Sequence, residues 1–166
     1  MTKEEALKLI NLLSALEYDP CTGIFKWASN AHNRVKNKQA GTQNGNGYIR
    51  IALAGKRYYA HRLAWLKFYG EMPDGEIDHI NGIGNDNRIA NLRLAKRSEN
   101  AANQGKRSSN TTGFKGVSWS LSRKKFVAQI TVNKKNKFLG HFSNPSDAHA
   151  AYTLAAKEFF GEFHKS

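Results

Sequence analysis

The sequence predicts an α+β protein made of two small domains. A chain of 166 residues is long enough for one or two domains, and 40% of its residues are hydrophobic. Apolar and polar residues alternate over Phe126–Val132, as in a strand with one buried face, whereas apolar residues between 148 and 159 recur at helical spacing. Residues 106–112 lie in a stretch rich in Gly, Ser, Thr and Asn, which predicts a linker between domains at 1–105 and 113–166.

The surplus of positive charge predicts a polyanionic partner. Lys and Arg number 26 against 13 Asp and Glu, which is a formal net charge of +13. The segment 1–105 carries a net charge of +5, and the shorter segment 106–166 carries +8. Nucleic acid is the leading candidate, because Lys and Arg neutralise its phosphates. No predicted helix opposes a Lys/Arg-rich face to a Trp/Phe/Leu-rich face, so we expect no membrane partner.

The composition also excludes several classes of protein. No run of 18 apolar residues is present, which excludes a transmembrane helix. The N-terminus lacks the cationic, apolar and cleavage regions of a signal peptide, and we expect a cytoplasmic protein. The single cysteine, Cys21, excludes an intrachain disulfide and any zinc site with two or more cysteine ligands.

Helical spacing and turn residues define the elements of the first domain. A first helix that runs to Asp19-Pro20 is predicted by leucines at helical spacing, namely Leu9, Leu12, Leu13 and Leu16. The other predicted elements are a strand at 24–27, a loop at 28–47, a hairpin of residues 48–53 and 57–60, and a helix that ends at Gly70.

The second domain is predicted to be a three-stranded antiparallel sheet packed on one helix. The expected strands are 114–119, 126–132 and 138–142. Asn144 as the N-cap and Pro145 as the first residue predict where the helix begins, and Gly161 predicts where it ends. The apolar stripe of this helix is expected to cover one face of the sheet and to leave the other face exposed.

Acidic, imidazole and amide side chains recur between residues 76 and 100. Three strings carry them: Asp78-His79-Ile80-Asn81-Gly82, Asn87-Arg88-Ile89-Ala90-Asn91-Leu92-Arg93 and Ser98-Glu99-Asn100. Their order predicts a strand, a loop, a strand and a helix, with Ser98 expected to cap the helix. Together with the upstream string Ala60-His61-Arg62-Leu63-Ala64-Trp65, they resemble the HNH nuclease family, and within it the phage and intron homing endonucleases, over about residues 18–105. The resemblance implies a ββα-metal finger at about 74–105.

Phosphodiester hydrolysis gives these side chains distinct roles. A neutral imidazole takes a proton from water near neutral pH, so His79 is the candidate general base. The Asp78 carboxylate and the Asn100 amide oxygen are hard ligands that suit Mg²⁺, with Mn²⁺ as a substitute. The resemblance implies that Asn91 is structural, because its amide would tie the loop and orient the His79 strand. Strand alternation points Asp78 and His79 to opposite faces, so a bend or a strand end must bring both to one site.

Several alternatives stay open at this point. Asp86 and Asn87 are alternative metal ligands. Asn91 can also be read as an ordinary loop cap, and Asn100 as an amide on a helix surface. His61 is a candidate to reach the site, but we expect its role to be structural.

The C-terminal segment contains a second set of recognisable strings: Gly113-Phe114-Lys115-Gly116-Val117, Phe126-Val127-Ala128-Gln129-Ile130, Phe138-Leu139-Gly140-His141-Phe142 and Ala148-His149-Ala150-Ala151-Tyr152. They resemble the ethylene-response-factor (APETALA-type) DNA-binding domain over about residues 110–163, which implies a sheet that enters the major groove of duplex DNA. The matching contact positions are Lys115, Ser118, Ser120, Thr131, Asn136 and Phe138. Phosphate contacts, which set affinity rather than sequence preference, are expected for Arg123, Lys125, Lys135 and Lys137.

These observations predict a metal-dependent DNA endonuclease of the homing type, encoded by a phage or a mobile element. Its partner is double-stranded DNA, with no small-molecule substrate, and we expect a monomer or a weak homodimer. One ββα-metal finger cuts one strand, so a monomer should nick DNA. The alternatives are a DNA-binding regulator that retains a degenerate, inactive HNH core, and an RNA-binding protein.

Overall fold

The computed structural model describes residues 3–29, 32, 35–106 and 109–164. The chain divides into two compact units, Met1–Ala95 and Lys96–Ser166. The units therefore divide ahead of the linker predicted at 106–112, which falls within the second unit. Both units combine helices with small antiparallel sheets, and the mixed helix and strand content predicted from the sequence is confirmed.

The first unit begins with a helix that is shorter than predicted. Helix α1 spans Lys3–Leu12, and a 3-10 turn at Leu13–Ala15 leads into strand β1, Leu16–Asp19. Strand β1 pairs with β2, Ile24–Trp27, and Leu16 is fully buried in this hairpin. The prediction that Leu16 continues the helix was wrong, because pairing with β2 outweighs a local helical spacing of leucines.

A second sheet and a helix complete the core of the first unit. Its strands are β3, Thr42–Gln43, β4, Ile49–Leu53, and β5, Lys56–Tyr59, in that order. The predicted hairpin is thus confirmed, while β3 falls within the predicted loop. Helix α2, Ala60–Tyr69, ends at Gly70 as predicted. Ile51 of β4 and Leu63 of α2 are fully buried in one apolar core with residues of α1 and of both sheets.

The strand–loop–strand–helix order predicted for residues 76–100 is present. Strand β6, Glu76–His79, pairs antiparallel with β7, Leu92–Ala95, and a 3-10 turn at Ile89–Asn91 precedes β7. Helix α3, Arg97–Asn103, belongs to the second unit. Its N-cap is Lys96, whose backbone N–H donates to Glu99 Oε2 at 2.7 Å, so the prediction that Ser98 caps this helix was wrong.

The second unit contains a three-stranded antiparallel sheet and a long helix. The strands are β8, Val117–Ser120, β9, Lys125–Val132, and β10, Lys135–Phe142, with β9 in the centre. Helix α4, Pro145–Phe160, packs on the sheet, and Asn144 caps it by accepting the Asp147 N–H at 2.8 Å. None of the helices in the described ranges has the length and apolar content needed to cross a bilayer.

The first strand of this sheet begins later than predicted. Residues 114–116 precede β8 in a turn that polar side chains hold together. Asn110 Nδ2 donates to the Phe114 carbonyl at 2.8 Å, and the Thr112 hydroxyl donates to the Val117 carbonyl at 3.0 Å. These side chains satisfy carbonyls in the turn and at the first residue of β8, which begins at Val117.

Candidate functional site

The β6–β7 pair determines the surroundings of Asp78. Its cross-strand partner is Arg93, and the Arg93 Nε–H donates to Asp78 Oδ2 at 3.0 Å. The Asp78 side chain is only 5% exposed, so this ion pair holds the carboxylate in one orientation in a largely dry environment. The sequence analysis did not identify Arg93, although an acid in one predicted strand and an arginine in the next are a signal for a cross-strand pair.

His79 occupies the last position of β6 and is held by an amide. His79 Nε2 lies 3.3 Å from Asn87 Oδ1, and Asn87 Nδ2 donates to the Asn85 carbonyl at 3.3 Å. Because the amide nitrogen of Asn87 is used on a carbonyl, its oxygen faces the imidazole and accepts from Nε2–H. Nδ1 is therefore the acceptor nitrogen of the neutral ring. The sequence analysis considered Asn87 as a metal ligand and missed this role.

Aromatic rings surround the buried imidazole of His79. The His61 ring centroid lies 5.1 Å away at a right angle to it, and the Tyr48 ring lies at 5.7 Å. Burial lowers the pKa of His79 below its ordinary value, although the hydrogen bond to Asn87 and the charge of Asp78 act in the opposite direction. Burial also lowers the pKa of His61, to about 3. Both imidazoles are therefore neutral at physiological pH.

The connection between β6 and β7 is tied by a network of amides. Asn91, which is buried, donates through Nδ2 to Asn81 Oδ1 at 3.0 Å and to the Asp86 carbonyl at 2.8 Å. Asn91 Oδ1 accepts the Asn81 backbone N–H at 3.0 Å. Asp86 binds Arg88 at 2.6 Å and Asn81 Nδ2 at 2.7 Å, and the bond to Arg88 lowers the pKa of Asp86 to about 2. Asn91 thus connects both ends of the loop that carries Asn87.

We expect Asn91→Ala to destabilise the first unit by about 2–3 kcal/mol, because it leaves the Asn81 N–H and the Asp86 carbonyl without their partner. Urea denaturation followed by circular dichroism measures this loss. Asn85→Ala is the matched control: its side chain is exposed in the same loop, and its change should stay within about 0.5 kcal/mol. Equal stability of both variants would show that Asn91 does not brace the loop.

The N-terminal hairpin supports this loop from outside the β6–β7 pair. The Tyr18 hydroxyl of β1 donates to the Asn87 carbonyl at 2.7 Å, and the Ile89 N–H donates to the Pro20 carbonyl at 3.1 Å. Burial raises the pKa of Tyr18 to about 12, so its hydroxyl stays protonated and keeps donating. The hairpin thereby fixes the backbone of the residue whose side chain holds His79.

Asn100, the second predicted metal ligand, is half-buried on α3 in the second unit. Asp78 and Asn100 contribute only oxygen donors, and such a set suits Mg²⁺, which commonly takes one or two protein oxygens and completes its shell with water and phosphate. Among the described residues, no group of three or more His, Cys, Asp and Glu side chains is arranged to hold a metal ion. The role of Asn100 stays a prediction.

One face of the C-terminal sheet turns away from α4. Val117 and Ala128 pair with each other and are buried in one cluster with Ala148 of α4, so neighbours one residue along each strand point to the opposite face. The register places on that open face Ser118, Ser120, Lys125, Thr131, Asn136 and Phe138. Six of the ten predicted DNA contacts therefore share one surface, and all but the half-buried Ser120 are exposed.

The other four predicted contacts lie elsewhere in this unit. Lys135 and Lys137 are exposed on β10, and the Lys137 ammonium lies 4.2 Å from the centroid of the Phe159 ring on α4. Arg123 lies in the turn between β8 and β9. The Lys115 ammonium donates to the carbonyls of Ala102 and Gln104, so this side chain faces the end of α3.

Comparisons with known proteins found a family model, a phage relative and a solved structure that are similar to this chain. Residues 58–102 match the family model described as HNH endonuclease. Protein 3.8 of Escherichia phage T7 is 40% identical over 76 residues, which are 45% of this chain and 63% of that protein. The solved structure of DNA binding and cleavage by the HNH homing endonuclease I-HmuI covers 91% of this chain and 80% of its own, with a TM-score of 0.46 and 21% identity.

The matched segment includes most of the residues described above. It contains β6, β7, the loop between them, and His61 of α2. It ends at residue 102, before the C-terminal sheet begins, and so supports the HNH resemblance but not the ethylene-response-factor resemblance. Residues 58–102 of this chain are thus similar to an HNH endonuclease domain.

Proposed function

We propose that this protein is a metal-dependent HNH endonuclease that hydrolyses phosphodiester bonds in duplex DNA. The observation that carries the proposal is the buried, neutral imidazole of His79 held through Nε2 by Asn87, inside a segment that matches the HNH endonuclease family. A phage relative fits a homing-type enzyme that acts in the cytoplasm of a host cell.

His79 acts as the general base. With Nε2–H bound to Asn87 Oδ1, Nδ1 accepts a proton from water, and the resulting hydroxide oxygen attacks phosphorus while the bond from phosphorus to the leaving oxygen breaks. Asn91 and Tyr18 keep the loop in the conformation that presents Asn87 to the imidazole. Because the imidazole is already oriented in the resting protein, it does not have to be reoriented before the reaction.

Asp78 and Asn100 are proposed to hold one divalent cation. When bound, Mg²⁺ stabilises negative charge on the phosphate and on the leaving oxygen. The Arg93 guanidinium, which binds Asp78 Oδ2, orients the carboxylate for this task. Mn²⁺ is expected to replace Mg²⁺, because it accepts the same oxygen ligands.

The C-terminal unit is proposed to anchor the enzyme on DNA in the manner of an ethylene-response-factor domain. Its open sheet face carries small and polar side chains at the positions of the predicted base contacts, flanked by exposed lysines. A sheet whose open face lies in the major groove reads base edges through such side chains, while lysines contact phosphates. A small nuclease domain gains affinity from such an anchor because the second contact becomes intramolecular.

The experiment that tests the endonuclease is incubation of supercoiled plasmid with the full chain, with Mg²⁺, with Mn²⁺ and with EDTA. We expect nicked or linear product with either metal and none with EDTA. Accumulation of nicked circles before linear product would indicate a monomer that cuts one strand. DNA binding without cleavage in any divalent metal would overturn the proposal and indicate the regulator with an inactive HNH core.

A phosphate contact by Lys125 has a measurable salt signature. Lys125→Ala should reduce the slope of log Kd against log salt concentration by about 0.9, because one counterion fewer is released from duplex DNA. Fluorescence anisotropy between low and moderate salt measures that slope. Lys157 is exposed on α4, so Lys157→Ala is the control that removes the same charge, and it should leave the slope unchanged. Equal slopes for both variants would exclude Lys125 from the DNA interface.

A further inference from the structure

His61 packs against three rings that come from separate places in the chain. Its ring stacks on Tyr59 of β5, with centroids 5.3 Å apart and planes 18° apart. Tyr48, which precedes β4, meets it edge-on at 5.7 Å. His79 at the end of β6 meets it at 5.1 Å with planes 89° apart. The His61 ring of α2 thus lies between the β4–β5 hairpin and the candidate general base.

The described contacts of His61 are packing contacts of its ring. Within the described residues, His61 Nδ1 is buried and has no hydrogen-bond partner. The low pKa of this imidazole keeps it neutral, so it neither repels a proton on His79 nor exchanges one with it near neutral pH. A flat, uncharged ring pressed at a right angle against another ring restricts how that second ring turns about its side-chain bonds.

We propose that His61 is a positioning residue, whose ring holds the His79 imidazole in the orientation that bonds Asn87 through Nε2. This inference rests on the proposed endonuclease function and adds a residue to it. While Nε2 faces the Asn87 amide oxygen, the tautomer with the proton on Nδ1 would set two lone pairs against each other, so a rotation of His79 away from Asn87 favours that tautomer. The aromatic shape of residue 61 is therefore the required property, and its nitrogens are not.

The test compares His61→Phe, which keeps a flat ring, with His61→Leu, which does not, in the full chain. Single-turnover cleavage under saturating enzyme separates the chemical step from DNA binding. We expect His61→Phe to stay within about twofold of the unmodified protein and His61→Leu to fall about 10-fold or more with unchanged Kd, since misorientation of a catalytic group affects the chemical step. Leu13→Ala, which removes core volume in the same unit, controls for lost stability.

A second measurement does not need cleavage. Long-range ¹H–¹⁵N correlation spectra report which nitrogen of His79 carries the proton. We expect the Nε2–H form in the unmodified protein and in His61→Phe, and a mixture of forms in His61→Leu. Equal losses for Phe and Leu, or an unchanged His79 spectrum in His61→Leu, would overturn the inference. If the unmodified protein does not cut DNA, the endonuclease proposal fails while the spectra still decide the role of His61.

Discussion

Replacing His79 by alanine should lower the cleavage rate by about 10²–10⁴-fold, the usual contribution of a positioned general base. The imidazole is neutral because it is buried, and its Nε2 is bound to Asn87, so Nδ1 is the nitrogen that takes the proton from water. Alanine at this position supplies no such acceptor. DNA affinity should be retained, because the proposed anchor lies in the C-terminal unit. Plasmid nicking and anisotropy measure the two quantities on the same preparation.

A second variant guards against loss of folding. His79→Gln keeps a polar side chain next to Asn87 but supplies no base, and it should be as inactive as His79→Ala while remaining folded by circular dichroism. Ile80→Ala, the next residue and 44% exposed, should cut normally. Substantial cleavage by folded His79→Gln would remove His79 from the role of general base and with it the central step of the proposed reaction.

Replacing Gly23 by alanine should destabilise the first unit by about 3 kcal/mol. Gly23 lies in the β1–β2 turn at φ 73°, a conformation that costs an L side chain about 1–2 kcal/mol. A Cβ there would lie 2.4 Å from Arg88 N and 2.5 Å from Asn87 C. Both are backbone atoms that cannot rotate away, so overpacking adds about 1–3 kcal/mol. Urea denaturation measures the total.

Gly55 provides the matched control for the contact with the loop. It lies in the β4–β5 turn at φ 77°, and a Cβ there would meet nothing within 4 Å. Gly55→Ala should therefore show only the backbone cost, about 1–2 kcal/mol. Gly23→Ala should also lower cleavage, since the displaced backbone carries Asn87. Equal destabilisation by the two substitutions would mean that the hairpin does not press on the loop.

Local patterns were sufficient for most of the secondary structure. The hairpin around Ala54-Gly55 and the N-cap at Asn144 depend on neighbouring residues alone, and both are present. Leu16 is the instructive exception: its spacing matches the preceding leucines, yet it pairs with Trp27 in a strand. A spacing of three or four residues depends on one segment only. Strand pairing depends also on a second segment, about which helical spacing contains no information.

The candidate site divides in the same way. The amino-acid sequence by itself determined the motif of Asp78, His79 and Asn91 and its likeness to HNH nucleases, because these depend on residue type and spacing. Only the tertiary structure decided which partner each side chain meets: Arg93 through the register of β6 and β7, Asn87 through the path of the loop, and His61 through packing of α2. Such partners come from separate segments of the chain, and burial and strand register, rather than local preference, bring them together.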